Sequence, residues 1–166
     1  MAGLGWPRGG VEVGHRRNTL VVNMCGRVRH AIAAVEAGCD IVVAQGTEAG
    51  GHTGQVATMA LVPQIVDAVG SRIPVVAAGG LYDGRGLAAA LSLGADGVWV
   101  GTRFIATPEA HGVPGYKEAL LGLAEDGTVV TRAYTGKTCR VVRNSYTEAF
   151  DADGGQPLPF PGQVLR

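Results

Sequence analysis

Apolar residues in this chain gather in short continuous runs, each closed by a glycine, and between the runs they recur at the spacing of one helical face. The runs TLVVNM (19–24), IVVA (41–44), PVVAA (74–78) and VWV (98–100) do not alternate with polar residues. Continuous runs of that length suit parallel strands covered on both faces. Strands are therefore expected near 19–24, 40–45, 74–78 and 97–101. Helices are expected at about 26–37, at 57–69, where MALVPQIVDAV buries one face, at 84–93 and at 114–124. Asp83 is placed to cap the helix at 84. Pro114 is placed to open the last helix, which is expected to pack through Ala119, Leu120 and Leu123.

The same pattern contains a repeat. Ala33, Ala34, Gly38, Asp40 and Val42 recur as Ala89, Ala90, Gly94, Asp96 and Val98, at a constant offset of 56. Each copy reads as helix end, glycine, aspartate, buried strand, with Gly38 and Gly94 in the position that ends a helix. IVDAVG (65–70) followed by PVVAA is a third such step between the copies. The unit is thus about 28 residues of strand plus helix, as in βαβ folds, and four units are expected. TVVTRAYTG (128–136) reads as one more strand or hairpin arm, and DGGQPLPFPGQ (153–163) as a Pro/Gly-rich tail without regular pattern. Three segments follow: 1–18 without a match to any motif, 19–150 as the βα array, and 151–166 as the tail. Four βα units fit an open doubly wound sheet, or half of a (β/α)8 barrel, which needs about 250 residues.

Composition narrows the partners. Fourteen Lys and Arg balance fourteen Asp and Glu, so no global field favours nucleic acid or an anionic membrane. No apolar run reaches the roughly 18 residues of a membrane span, and the opening residues hold no apolar leader. Cys25, Cys39 and Cys139 are odd in number and far apart, which fits a reducing cytoplasm. Glycine, at 27 of 166 residues, is about twice its usual share of roughly 7%. Many of these glycines cluster at strand ends, where backbone approaches ligands.

In either fold, function sits at the carboxyl ends of the strands. The loops there are Gln45–Gly54, Gly79–Gly84 and Gly101–Phe104. Adjacent glycines let backbone N–H groups face a phosphate, and two such loops on consecutive strands resemble the phosphate site of (β/α)8 barrels; a tight turn is the plain alternative. His52, among glycines, is a candidate general base, since an imidazole titrates near pH 6.5, or a loop histidine bonded to a carbonyl. Gln45 ends a buried strand with both a donor and an acceptor, suited to a heterocycle edge or to bridging the loop. Glu48 orients a neighbour or is structural. Gly136-Lys137-Thr138 lacks the earlier glycine of a P-loop, no G-x-G-x-x-G opens a helix, and G-x-S-x-G is missing. H-E-x-x-H and C-x-x-C are missing too, so no metal site is expected. His15, His30 and His111 share no ligand spacing and are expected on the surface.

AQGTEAGGHTG (44–54), AAGGLYDGRGLAAALSLGADGVWVGTRF (77–104) and TRAYTGKTCRVVRN (131–144) together resemble the nitronate monooxygenase family. The resemblance implies an FMN-dependent (β/α)8 barrel of which this chain carries strands five to eight. It implies that His52 is the catalytic histidine, that Gln45 and Gly50 contact flavin, and that Gly79, Gly80, Gly101 and Thr102 form the phosphate-binding backbone. Trp99 and Val100, which lead into that last loop, are taken with them as cofactor-binding. The implied reaction oxidises an alkyl nitronate or nitroalkane to a carbonyl compound and nitrite with O2. A similar GxEAGGHxG loop and GTRF end occur in flavin-dependent enoyl-acyl-carrier-protein reductases, an alternative. The family's first four strands are not in this sequence. An inactive fragment, a homo-oligomer of half barrels or a separate N-terminal half as partner therefore remain expectations beside catalysis.

Overall fold

The computed structural model describes residues 9–165. The chain forms two compact units, one comprising the chain up to Ala49 with Thr53–Val100, the other Gly50–His52 with the chain from Gly101 on.

The first unit opens with α1 (Gly10–Arg16), β1 (Val22–Cys25), α2 (Val28–Glu36) and β2 (Ile41–Gln45). The chain then contributes β3 (Gly51–His52) to the second unit and returns as α3 (Thr58–Val69), β4 (Val75–Ala78), α4 (Gly84–Ser92) and β5 (Gly97–Trp99). The strands form one parallel sheet in the order β1-β2-β4-β5, leaving β1 and β5 as its edges. Right-handed parallel crossovers require helices on a face, and that face is the core: Cys25, Val42, Ala44, Val75 and Ala77 pack on Ala31, Ala34, Leu61, Val62 and Ile65. Because strand side chains alternate, the opposite face carries Met24, Val43, Gln45, Val76, Ala78 and Trp99, in matching register across the strands. Trp99 is 50% exposed there.

The 56-residue repeat has a physical meaning. The Asp40 carboxylate accepts the Val21 N–H at 2.7 Å, while the Asp40 N–H donates to the Val21 carbonyl. Asp96 and Val75 repeat this reciprocal pair, at 2.8 Å in each direction. Each aspartate thus fastens the start of the neighbouring strand. Gly38 and Gly94 precede them with φ of 87° and 89°, the left-handed conformation that closes a helix. His15 of α1 also bonds Asp40, at 2.9 Å, and the Val21 N–H with that imidazole holds the Asp40 carboxyl below its usual range. Val75 is fully buried, so Asp96→Ala strands its N–H. The expected cost is about 1–3 kcal/mol, read as a lower urea or thermal midpoint; an unchanged midpoint would contradict the role given to Asp96.

The second unit contains β3, the short helix α5 (Thr102–Ile105), α6 (Pro114–Leu121), β6 (Thr128–Thr131), β7 (Cys139–Val142), α7 (Ser145–Ala152) and a 3-10 turn at Gly162–Leu165. Its antiparallel sheet has the order β3-β7-β6, so TVVT is a hairpin arm.

Several expectations require correction. Val100 and Gly101 are not strand, because Gly101 caps α5. α6 buries no residue: Ala119 is exposed and Leu121 is 71% exposed, so this helix does not pack through Ala119 as its spacing suggested. The tail is ordered around Gln163, which is buried, donates to the Ala133 carbonyl at 2.7 Å and accepts from the Leu158 N–H. The cut at 150/151 falls inside α7, whose Asn144 caps the Tyr146 and Thr147 N–H groups. Of the segment 1–18, residues 1–8 lie outside the described residues, and Val11 on α1 joins the core of the first unit.

Candidate active site

In the first unit the site residues lie at the carboxyl ends of β2, β4 and β5. Gln45 is the last residue of β2, on the face away from the helices, opposite Ala78. It is half-buried. Trp99 pairs with Ala78 from the other side, and Val100 follows it.

The β2 and β4 loops are locked to each other through Thr58, the first residue of α3. Both Glu48 oxygens accept the Thr58 N–H, at 3.1 and 2.9 Å. The Thr58 hydroxyl lies 2.8 Å from Glu48 Oε2 and 2.9 Å from the Gly79 carbonyl. Glu48 is therefore structural: its negative charge sits at the amino end of α3, where the helix dipole favours it. The Gly46 N–H donates to the Ala78 carbonyl, and the Thr53 hydroxyl to the Gly46 carbonyl.

This lock orients the Gly79–Gly80 peptide. In a trans peptide the C=O and N–H point in opposite directions. With the Gly79 carbonyl turned toward Thr58, the Gly80 N–H points away from it, and it donates to no group among the described residues. Gly79 has φ 104°, and a Cβ there would come within 3.1 Å of the Ala49 nitrogen and the Gly46 oxygen. Only glycine holds this turn without strain, and the turn leaves a backbone N–H of the kind that can donate to an anion. The amino end of α4 is not available in the same way: Asp83 already accepts from Arg85 N and Gly86 N. Its pairing with the Arg85 side chain, followed by those N–H groups, lowers the Asp83 pKa.

In the second unit His52 sits on β3, directly across from Cys139 of β7. Its Nε2 lies 2.9 Å from the Thr135 hydroxyl oxygen. Cys139 does not make a thiolate–imidazole pair: its Sγ bonds the Thr131 carbonyl, and burial pushes the thiol pKa up. Gly50 faces Thr102, whose hydroxyl oxygen would lie 2.7 Å from a Cβ at residue 50. Gly101 is the reverse case, since a Cβ there meets no atom within 4 Å. No described residue fills that space.

His15 is exposed as expected, but His30 is not a plain surface residue. Its Nδ1 is buried without a hydrogen-bond partner among the described residues, and burial, then Arg29 and Arg27, lowers its pKa. Cys25 and Cys39 are buried free thiols, and burial pushes Cys25 up to about 11. Thr58 and Thr135 were not visible as site residues in the sequence. Their partners lie 10 to 83 positions away, and no motif spacing marks them.

A nitronate monooxygenase family model matches residues 3–166. The chain belongs to the nitronate monooxygenase family. This is a family of oxidoreductase enzymes, and the match takes in most of the opening segment that the motifs left unassigned. The Mycobacterium tuberculosis protein Rv1533 is 49% identical over 154 residues, which are 92% of this chain and 41% of that protein. The "probable nitronate monooxygenase" of Staphylococcus haemolyticus is 46% identical over 82% of this chain and 41% of its own length. Among solved structures, nitroalkane oxidase from Streptomyces ansochromogenes superposes with a TM-score of 0.85 at 34% identity, over 96% of this chain and 48% of that one. FabK from Thermotoga maritima does so with a TM-score of 0.82 at 39% identity, over 89% and 47%. The chain thus spans about two fifths of the curated relatives it matches. Within the nitronate monooxygenase family, its parallel sheet is half of a (β/α)8 barrel. Among the described residues no helix is long and apolar enough to cross a membrane.

Proposed function

We propose that this chain carries the base and part of the FMN site of a cytoplasmic enzyme that oxidises alkyl nitronates, and nitroalkanes after loss of an α-proton, to a carbonyl compound and nitrite. The observation that carries the reading is the Gly79–Gly80 peptide, pinned by Thr58 so that its N–H, which donates to no group among the described residues, points away from Thr58 at a strand end. FMN, when bound, supplies the redox chemistry, with O2 as final oxidant.

The remaining work falls to side chains and backbone of this chain. The Gly80 N–H donates to the phosphate, and the resemblance adds Gly101 and Thr102 to that backbone. Gln45 offers its amide to the edge of the ring system, with Gly50, Trp99 and Val100 as further cofactor contacts. His52 removes the α-proton of a neutral nitroalkane. A preformed nitronate has already lost that proton and needs only to be held.

The phosphate assignment is tested by titrating the chain with FMN and with riboflavin. Charge-assisted bonds to backbone N–H groups contribute about 1.5–3 kcal/mol, so FMN should bind roughly 10- to 100-fold more tightly. Equal affinity for the two flavins would remove the Gly79–Gly80 loop from the reading. Nitrite released from propyl-2-nitronate, dependent on added FMN, tests the reaction itself.

A further inference from the structure

Thr135 does nothing in the mechanism above, yet its hydroxyl is the partner of the histidine that does the chemistry. It lies in the β6–β7 loop, and that loop is fastened on every side within the second unit. The Arg132 Nε and the Gly136 N–H close the turn on each other's carbonyls, both at 2.9 Å. The Ala133 carbonyl accepts from the Tyr146 hydroxyl of α7 and from Gln163. Gly136 has φ 75°, and a Cβ there would run into the Leu158 carbonyl. Thr135 is thus held in a fixed place, 83 positions from His52 in sequence.

A proton count decides how the pair is arranged. The hydroxyl has one hydrogen and two lone pairs. It accepts the Lys137 N–H at 3.2 Å, and it reaches the Lys137 carbonyl at 3.3 Å and His52 Nε2 at 2.9 Å. If its hydrogen went to Nε2, the hydroxyl and Lys137 carbonyl oxygens would face each other at 3.3 Å with no hydrogen between them. If it goes to the Lys137 carbonyl, Nε2–H donates to the hydroxyl oxygen, and both lone pairs and the hydrogen are used. In that arrangement the imidazole lone pair is on Nδ1, which has no partner among the described residues. The same arrangement survives protonation, because the imidazolium still donates from Nε2.

We propose that Thr135 is a positioning residue that fixes His52 as the Nε2–H tautomer, so that Nδ1 is the basic nitrogen. This rests on the reading of His52 as the base, but its test does not depend on turnover. Ring-labelled protein is studied by long-range proton–nitrogen correlation at a pH where the ring is neutral, with His52→Asn identifying the His52 signals among the four histidines. The expected result is a hydrogen on Nε2, with slow exchange. Thr135→Val should raise the exchange rate of that hydrogen about tenfold, and Thr135→Ser should restore it, with backbone signals of β7 unchanged. A hydrogen on Nδ1 in the unaltered chain overturns the proposal, as does exchange in Thr135→Val equal to that of the unaltered chain. If Thr135→Val fails to fold, the tautomer of the unaltered chain and the Thr135→Ser exchange rate still decide. A wrong tautomer leaves His52 as base intact, whereas failure of that reading shows as nitroalkane oxidation that survives His52→Asn.

Discussion

Oxidation of a neutral nitroalkane should fall about 10²–10⁴-fold when His52 is replaced by asparagine, in any assembly of this chain that turns over, while oxidation of a preformed nitronate stays nearly unchanged. The asymmetry follows from the chemistry. Only the neutral substrate holds an α-proton that must leave, and asparagine offers no basic nitrogen to take it. The measurement is kcat/KM for the two ionisation states of one compound, such as 2-nitropropane and its anion. Equal losses on both would assign His52 to holding substrate or cofactor. The location on β3 favours the first outcome, since His52 is fixed by strand pairing with Cys139 and by Thr135 rather than left on a free loop.

The largest effect on stability is expected at Gly46. A Cβ there would stand 2.5 Å from the Thr58 nitrogen and 2.6 Å from its Cα, and would overlap the hydroxyl oxygen as well. These are backbone atoms of a helix start whose Thr58 is buried, so no side-chain rotation relieves the contact. Gly46→Ala should cost roughly 3–5 kcal/mol, much of the margin of an ordinary domain, which is about 5–15 kcal/mol. It should also break the Glu48–Thr58–Gly79 lock and with it the preference for FMN. Gly101→Ala is the control, because its Cβ meets nothing within 4 Å and its φ of −108° suits any residue. A urea midpoint that fell equally in both would show that loss of glycine, rather than the clash, is responsible.

The parallel sheet was legible in the sequence because both of its faces select apolar side chains, so IVVA and PVVAA stand out without alternation. The expected 40–45 and 74–78 differ from Ile41–Gln45 and Val75–Ala78 by one residue at most. The repeat was legible for a different reason: Gly38 and Gly94 must take positive φ, and Asp40 and Asp96 must grip a neighbouring strand. Legibility ended where structure depends on distant partners. α7 is held by the Asn144 cap and by Thr147 rather than by a long apolar stripe. Gln163 orders a tail that composition alone marks as irregular, because its two bonds reach back to Ala133 and Leu158. Glycine clusters marked the loops at the strand ends, yet they could not show that Thr58 holds the carbonyl of one of their peptides.

The two aspartate latches divide the sheet unevenly. β1 is fastened to β2 by Asp40, and β4 to β5 by Asp96, whereas at the seam between β2 and β4 the corresponding contact is a single backbone bond from the Val42 N–H to the Pro74 carbonyl. The self-fastened module is therefore a pair of strands with its helices, a quarter of a barrel. A barrel built by duplicating such quarters would inherit its aspartate clasps inside each copy and would join one copy to the next by ladder pairing and by the Glu48–Thr58–Gly79 lock at the strand ends. Recombination between homologous barrels would then be tolerated best at the β2–β4 seam, where exchanging partners severs no aspartate clasp, and only between parents that both keep Glu48, Thr58 and Gly79.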